Sequence, residues 1–142
     1  PADKIAEIEA FGVKCTSICG DISSFDEAGR MIKECEESLD SIDILINNAG
    51  ITKDQLLLRM KPEDFDAVMD INLKGTFNMT QQVLKKMMKK RAGVIINLSS
   101  VRFDRKWSKQ LSVQLVIGFT KAVARELRHY YNAIALGLLK QT

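Results

Sequence analysis

Four stretches of this 142-residue sequence combine small residues with amide, hydroxyl or carboxylate side chains. The most compact is NNAG at residues 47–50, which follows the largely apolar run of residues 42–46. Alanine and glycine let a flat or charged ligand approach the backbone closely, and asparagine amides can bind its polar edges. The other three are GDIS at residues 20–23, NLSS at residues 97–100, and DINLKGTF at residues 70–77, which contains Asn72.

Helical patterns alternate with short apolar runs along the chain, and together they form the scaffold of these stretches. Helices are predicted where apolar residues recur at helical spacing: residues 2–11, 24–39, a short helix from Pro62, 71–89 and 115–127. Strands are predicted at the apolar runs of residues 13–19, 42–47, 93–99 and 132–136. This alternation, with strands apolar on both sides, predicts an α/β fold in which a doubly wound parallel sheet forms a single domain, residues 1–142.

GDIS, NNAG and NLSS each fall at the carboxyl end of a predicted strand. In open α/β sheets, ligands bind in the crevice beyond those strand ends. For any one of these stretches alone, an ordinary polar strand end is an equally good interpretation. All three in order, with Asn72 between the second and the third, favour a ligand site. We therefore expect Asp21, Ile22 and residues 48–50 to line one crevice.

Composition argues against several classes of protein. Apolar residues make up 46% and charged residues 27%, which is typical of a folded soluble domain and not of a disordered chain. The net charge of +3 comes without a basic stripe interleaved with aromatics, and no apolar run has the length of a membrane span. We therefore expect no nucleic-acid and no membrane partner. Three cysteines without a CxxC motif, a single histidine and no secretion signal predict no metal site and a cytoplasmic location.

Most of the chain, residues 5–127, resembles the short-chain dehydrogenase/reductase family, and within it the bacterial 3-oxoacyl-[acyl-carrier-protein] reductases. The resemblance is carried by GDIS, LINNAGITKDQLLLRM, DFDAVMDINLKGTFNMTQ, GVIINLSSV and VIGFTKAVAREL. It implies a Rossmann-like dinucleotide-binding fold, incomplete here at the N-terminus and the C-terminus, in a homo-oligomer (dimer or tetramer). It further implies hydride transfer from NADPH, or alternatively NADH, to a 3-oxoacyl thioester on acyl carrier protein in fatty acid synthesis.

The same resemblance implies roles for individual residues of this sequence. Ser100, rather than its neighbour Ser99, would hold the substrate carbonyl, and Asn72 would anchor a water molecule of the proton relay. Asp21 would meet the adenine amino group, and Asn48 would fix the turn and steady the central strand. The implied cofactor-binding set, beside the adenine and its ribose, is Asp21, Ile22, Asn48, Ala49 and Gly50.

Two parts of the family pattern are missing from these 142 residues. The family's proton donor is the tyrosine of Y-x-x-x-K, whose lysine lowers the phenol pKa, and no tyrosine here stands four residues before a lysine. The family spacing places that tyrosine at Val113 when counted from Ser100, and at Lys109 when counted back from VIGFTK. The glycine-rich phosphate loop of the first strand–helix turn would precede residue 1.

Three explanations fit these gaps: a degenerate fragment, an incomplete or misassigned chain, or a subunit whose catalysis is supplied elsewhere. We favour an incomplete chain, because the segments that match the family in the middle of the sequence are so little altered. We expect the chain as given to lack activity. The alternative function is a catalytically silent dinucleotide-binding or oligomerisation subunit of the same fold.

The family topology also makes a prediction about the sheet. In the doubly wound strand order 3-2-1-4-5-6, the strands that would precede residue 1 lie between the segments 13–19 and 42–47. We therefore expect these two predicted strands not to be direct neighbours.

Overall fold

The computed structural model describes residues 2–53, 55–100, 107–128 and 134–141. Its regular elements, in chain order, are helix α1 (Ala2–Glu9), helix α2 (Phe25–Leu39), strand β1 (Ile44–Asn47), helix α3 (Pro62–Met69), helix α4 (Gly75–Lys90), strand β2 (Gly93–Ser100), helix α5 (Trp107–Arg128) and strand β3 (Ile134–Gln141). A 3₁₀ turn at Leu57–Arg59 precedes α3, and a π-helical turn at Asp70–Lys74 joins α3 to α4.

The strands of the described residues form one parallel sheet in the order β1-β2-β3. β1 runs beside β2 until Asn47 stands opposite Asn97, and β2 continues beside β3 until Ser100 stands opposite Gln141. Parallel neighbours need crossover connections, which α3 with α4 and then α5 supply. The α/β class with a parallel sheet, predicted from the alternation of helices and strands, is confirmed.

The hydrophobic core lies on one face of this sheet, beneath α2 and α4. Its buried side chains form one cluster: Ile32, Leu45, Val83, Met87 and Ile95. α5 packs on the same face, where Thr120 bonds to Asn97, two residues beyond Ile95 on β2. The core and the bond between Thr120 and Asn97 together join α2, α4 and α5 to the two strands whose ends carry the polar stretches.

The opposite face of β1 is open among the described residues. Ile44 and Ile46 are 58% and 56% exposed, whereas Leu45 between them is 8% exposed. The run of apolar residues predicts burial on both faces, and for β1 that expectation is wrong in this structure. The described helices cover one side of the strand, so the alternate side chains point to solvent.

Residues 13–19, predicted to be a strand, have no regular structure. A strand is held by a ladder of hydrogen bonds to a neighbour, and no strand of the described residues pairs with this segment. Val13 is accordingly 53% exposed. As predicted, this segment is not a direct neighbour of β1, because the sheet of the described residues contains only β1, β2 and β3. That strands preceding residue 1 lie between the two stays a prediction.

Most helix boundaries follow the capping signals in the sequence. Ser24 caps α2 by accepting a hydrogen bond from the Glu27 N–H (3.4 Å from N to Oγ), and Gly12 follows α1 with a left-handed φ of 79°. Two helix starts differ from the prediction. α5 begins at Trp107 and not at residue 115, and the regular α-helix predicted from residue 71 begins only at Gly75. The π-helical turn before it contains Asn72, and such turns are frequent at functional sites.

Candidate functional site

The carboxyl ends of β1 and β2 lie at the same edge of the sheet. Because the strands are parallel with Asn47 opposite Asn97, β2 continues beyond the level at which β1 ends, to Ser100. At about 3.3 Å per residue, the Ser100 backbone lies about 10 Å past that level. The rest of NNAG, residues 48–50, leaves β1 at this edge and is exposed.

Asn72, in the π-helical turn, is bonded to the loop that follows NNAG. Its Oδ1 accepts a hydrogen bond from the Ile51 N–H at 2.8 Å, and its Nδ2 donates to the Ile51 carbonyl at 3.0 Å. Gly50 lies close beside this pair, since a Cβ at that position would stand 3.3 Å from Asn72 Oδ1. The Asn72 side chain thereby fixes the backbone immediately after the small residues of NNAG.

The GDIS loop, residues 20–23, is a compact turn ahead of α2. The Asp21 carboxylate accepts two hydrogen bonds through Oδ1, from the Ser23 hydroxyl at 2.7 Å and the Ser23 N–H at 2.8 Å. The Ser24 N–H closes the turn by donating to the Asp21 carbonyl at 3.1 Å. The bonds from Ser23, helped by the charge of Lys74, hold the pKa of Asp21 below its ordinary value of 3.8. Asp21 therefore presents an ionised, exposed carboxylate whose Oδ2 lies outside these bonds.

One helical stretch of about two turns, from Asn72 to Asn78, touches both loops. Gly75 lies so close to Ile22 that a Cβ there would stand 2.6 Å from Ile22 Cδ1. One turn further, the Asn78 amide donates to the carbonyls of Ile22 at 2.8 Å and Ser23 at 3.1 Å. Asn72 and Asn78 are about 9 Å apart along the helix, so GDIS and NNAG both rest on this short stretch. That the two loops line one ligand crevice remains a prediction.

A buried polar network ties the ends of β1 and β2 to the helices. Asn47 Nδ2 donates to Asn97 Oδ1 at 2.8 Å and to Thr80 Oγ1 at 3.2 Å. Asn97 Nδ2 in turn donates to Thr120 Oγ1 at 2.8 Å. The strand-steadying role expected of Asn48 therefore belongs to Asn47, because the side chain of the last strand residue faces the helices. Asn48 is exposed in the loop, and its contact with a cofactor remains a prediction.

The two serines that end β2 differ in their surroundings. Ser99 is 5% exposed, and its Oγ is buried without a hydrogen-bond partner among the described residues. A hydroxyl enclosed in this way is out of reach of a ligand that arrives from solvent. This favours Ser100, whose backbone is the last of the strand, as the serine of the site, and its catalytic role remains a prediction.

The two positions at which the family spacing places a tyrosine, Lys109 and Val113, both lie in α5. They are four residues apart and therefore on one face of the helix. Valine has no proton to donate, and a lysine with an ordinary pKa of about 10.4 donates its proton only weakly near neutral pH. The tyrosines of the sequence, Tyr130 and Tyr131, lie outside the described residues.

Sequence reasoning missed three residues that organise this region: Asn78, Asn97 and Thr120. Each is a polar side chain at a position that the pattern of its element gives to the core, and each is at most 5% exposed. Buried polar groups are almost always hydrogen-bonded, so an amide or hydroxyl on an apolar stripe signals a specific partner. Asn78 carries a further signal, because asparagine is a poor residue for a helix interior.

The described residues also bear on metal sites, membrane-spanning helices and disulfides. Within the described ranges, no three His, Cys, Asp or Glu side chains gather closely enough to hold a metal ion. None of the described helices is both long and apolar enough to cross a membrane. Cys15, Cys19 and Cys35 are free thiols.

The parallel sheet and the polar, glycine-containing loops at its carboxyl edge define a Rossmann-like α/β protein. The model of the family described as short chain dehydrogenase matches residues 1–142, and the chain belongs to that family. The family resemblance drawn from the sequence motifs is thereby confirmed.

Relatives of known name match most of this chain. A 3-oxoacyl-[acyl-carrier-protein] reductase, FabG, of Staphylococcus epidermidis is 43% identical over an alignment that covers 95% of this chain and 58% of the relative. A 3-oxoacyl-[acyl-carrier-protein] reductase of Synechocystis is 42% identical, and nodulation protein G of Azospirillum brasilense is 41% identical, both at the same coverage. The chain thus spans 58% of the length of these relatives.

Two solved structures share the fold. A gluconate 5-dehydrogenase from Burkholderia cenocepacia, in complex with NADP and tartrate, is 27% identical with a TM-score of 0.88 over 98% of this chain and 55% of that one. A metagenomic short-chain oxidoreductase in complex with NADP is 26% identical with a TM-score of 0.89 over 98% of this chain and 64% of that one. The likeness extends along nearly the whole chain, which confirms the Rossmann-like fold.

Proposed function

We propose that the chain forms the central part of an NADPH-dependent reductase of fatty acid synthesis. Its substrates would be 3-oxoacyl thioesters on acyl carrier protein, reduced to 3-hydroxyacyl thioesters in the cytoplasm. The observation that carries this proposal is the pair of hydrogen bonds between Asn72 and Ile51. These bonds join Asn72, the asparagine that interrupts the helix, to the residue that follows NNAG. Asn72 and NNAG are the two most specific features that the chain shares with the reductases. Identities of 43% and 42% to proteins named 3-oxoacyl-[acyl-carrier-protein] reductase support the substrate class.

The adenosine end of NADPH fits the residues of the two loops. Ala49 and Gly50 leave exposed backbone for a flat ring to approach, and Asn48 stands beside them. Asp21, kept ionised by Ser23, offers an acceptor to the adenine amino group, with Ile22 packing beside it. When bound, NADPH (or alternatively NADH) supplies the hydride, and the residues of the chain orient the carbonyl that receives it.

Ser100 and Asn72 are the catalytic residues of the proposal. The Ser100 hydroxyl donates a hydrogen bond to the substrate carbonyl and stabilises the negative charge that develops on its oxygen. Asn72 holds a water molecule of the proton relay. A neutral hydroxyl does not readily supply the proton as well, and general acid catalysis contributes typically ~10²–10⁴-fold. With Lys109 or Val113 at the tyrosine position, we expect this chain by itself to show no appreciable turnover.

The missing Y-x-x-x-K pair favours a second function, that of a catalytically silent dinucleotide-binding or oligomerisation subunit. Phe77 of α4 and Phe119 of α5 form an edge-on ring pair with centroids 6.2 Å apart, and Phe77 is 42% exposed. Aromatic side chains that remain partly exposed are enriched at contacts between subunits. In this alternative a homo-oligomer (dimer or tetramer) forms and turnover is absent.

The test measures dinucleotide binding and turnover separately on the purified chain. Calorimetry with NADPH follows binding, and oxidation of NADPH in the presence of an acetoacetyl thioester follows turnover. We expect weak binding that Asp21→Ala weakens further and that Asp26→Ala, at an exposed acid in the first turn of α2, leaves unchanged. Turnover abolished by Ser100→Ala would establish the reductase in this chain alone. Binding without turnover is expected of both functions, and restoring a Y-x-x-x-K pair separates them: turnover on restoring it supports the reductase, and continued absence of turnover supports the silent subunit. An absence of binding would contradict the reductase and the dinucleotide-binding subunit, and would leave only the oligomerisation subunit.

A further inference from the structure

We propose that Asn78 is a positioning residue of the adenine subsite, which holds the GDIS loop so that the Asp21 carboxylate meets the base. This inference rests on the function proposed above and adds to it a residue that contacts neither cofactor nor substrate. Asn78 lies in the interior of α4 and is 2% exposed. We expect it to act only through its hydrogen bonds to the GDIS loop.

The Asn78 amide holds the loop through a single group. Nδ2 donates to the carbonyl of Ile22 at 2.8 Å and to that of Ser23 at 3.1 Å. Ser23 also supplies both hydrogen bonds that orient Asp21 Oδ1. A buried donor that lost these carbonyls would remain unpaired at a considerable cost, so the two peptide groups are held firmly. The direction of the Asp21 carboxylate is thus set from α4.

The loop is anchored on both sides of Asp21. Ahead of it, Arg30 Nη2 donates to the Cys19 carbonyl at 2.7 Å. Behind it, Ile22 packs against Gly75, where a Cβ would stand 2.6 Å from Ile22 Cδ1. Asp21 itself is exposed between these anchors, so a ligand can reach a carboxylate whose surroundings are fixed.

A fixed carboxylate selects between purine bases by their hydrogen-bonding groups. Adenine carries an amino group, which donates, whereas hypoxanthine carries a carbonyl at the same position, which accepts. An ionised carboxylate accepts from the first and repels the second. Because the selection depends on where the carboxylate stands, Asn78 controls base selectivity through Asp21.

The experiment uses Asn78→Asp, which keeps the size of the side chain and replaces the donor by a group that repels both carbonyls. Asn78→Ser is the second variant, in case the first does not fold. Gln82→Ala is the matched control, because Gln82 lies one turn further along α4 and donates to the Phe25 carbonyl (3.4 Å), beyond the loop. Two readouts are taken: hydrogen exchange of the Ser23 and Ser24 amides without ligand, and the ratio of dissociation constants for NADPH and its hypoxanthine analogue.

We expect the Asn78 variants to accelerate exchange of the two loop amides and to lower the preference for adenine by about five- to tenfold. In an Asp21→Ala background, the same substitutions should change the remaining preference by less than about twofold, because the two residues act through one contact. Gln82→Ala should leave both readouts unchanged.

Unchanged loop exchange in both Asn78 variants would overturn the positioning role, whatever the binding result. Faster exchange with the adenine preference intact, or an equal effect in the Asp21→Ala background, would overturn the link to the base. If the unmodified chain binds no dinucleotide, the proposed function fails and the adenine subsite with it. The exchange readout distinguishes that failure from a failure of the contact between Asn78 and the loop.

Discussion

The Asn72 side chain and the Ile51 backbone form a closed pair of hydrogen bonds, with Oδ1 accepting from the N–H at 2.8 Å and Nδ2 donating to the carbonyl at 3.0 Å. A side-chain amide presents the same donor and acceptor as a peptide group, so Asn72 serves Ile51 as a neighbouring strand would. Both main-chain groups of Ile51 are satisfied by a residue 21 positions away. The shape of the loop after NNAG therefore depends on one side chain.

Replacing Asn72 tests this dependence. Asn72→Ala removes the partner of two main-chain groups, and we expect the free energy of unfolding to fall by about 1–3 kcal/mol. Lys74→Ala is the control, because Lys74 lies in the same turn and its interactions, an exposed ion pair with Asp70 at 3.5 Å and the charge it contributes near Asp21, leave Ile51 untouched. That control should cost at most about 0.5 kcal/mol. Urea denaturation measures both, and equal losses would contradict the role given to Asn72.

The buried network at the strand ends makes a second prediction. Thr120→Val keeps the shape of the side chain but deprives Asn97 Nδ2, on a residue that is 0% exposed, of its acceptor at 2.8 Å. We expect a loss of about 1–3 kcal/mol in the free energy of unfolding. The same change at Thr16, in the exposed segment before GDIS, should have almost no effect. A Thr120 variant as stable as the Thr16 variant in thermal or urea unfolding would show that the network does not hold the strands.

Two glycines give opposite expectations for the same substitution. A Cβ at Gly93 would stand 2.4 Å from the Sδ of Met87, which is 1% exposed, so Gly93→Ala should destabilise the fold by about 1–3 kcal/mol. At Gly118, inside α5, a Cβ would meet nothing within 4 Å. Gly118→Ala should therefore stabilise the protein by about 0.5–1 kcal/mol through helix propensity. If both substitutions lowered the free energy of unfolding in urea, a Cβ at Gly118 would have to meet a contact that the structure does not show.

The sequence predicted most reliably those elements whose local pattern agrees with their surroundings. β2 is an apolar run whose Ile95 packs against α4 and whose Asn97 bonds to α5, and α2 begins directly after the serine that its capping box indicates. Residues 13–19 carry an equally good strand pattern and form no strand, because a ladder needs a partner that local sequence does not encode. Burial of β1 on both faces failed for the same reason, since the pattern specifies what can be buried and not what covers it.

The residues of the site also fall into two groups: those in contiguous sequence motifs, and those whose contacts depend on the fold. NNAG and Asn72 are contiguous motifs, and sequence alone singled them out. The choice of Asn47 over Asn48 as the residue bonded to the sheet depends on the register of β1 against β2. Asn78 meets the GDIS loop across 56 positions of the chain, a distance at which only the folded structure reveals partners.

Alternate residues of β1 test which face of the sheet is covered. Leu45 is 8% exposed in the core, so Leu45→Ala should lower the free energy of unfolding by about 2–5 kcal/mol. Ile46 is 56% exposed on the open face, and Ile46→Ala should cost less than about 1 kcal/mol. Denaturant unfolding of the two variants gives the comparison. A loss at Ile46 as large as that at Leu45 would mean that another segment or subunit covers this face in solution.

The last prediction concerns the pH range over which the GDIS loop is held. The hydroxyl and the N–H of Ser23 bind the charged form of Asp21, so the pKa of this carboxyl lies below its ordinary value of 3.8 in the folded state. The stability that the bonds contribute is fully present above that ordinary value, and it is lost as the pH falls through the lowered pKa. Ser23→Ala removes the larger cause, so the pKa of Asp21 should rise towards 3.8 and the loop should loosen at a higher pH. An NMR titration of the carboxyl carbon measures the pKa, with Ser17→Ala, at an exposed serine just ahead of the loop, as the matched control. Identical titrations in the two variants would show that the Ser23 hydroxyl does not lower the pKa of Asp21.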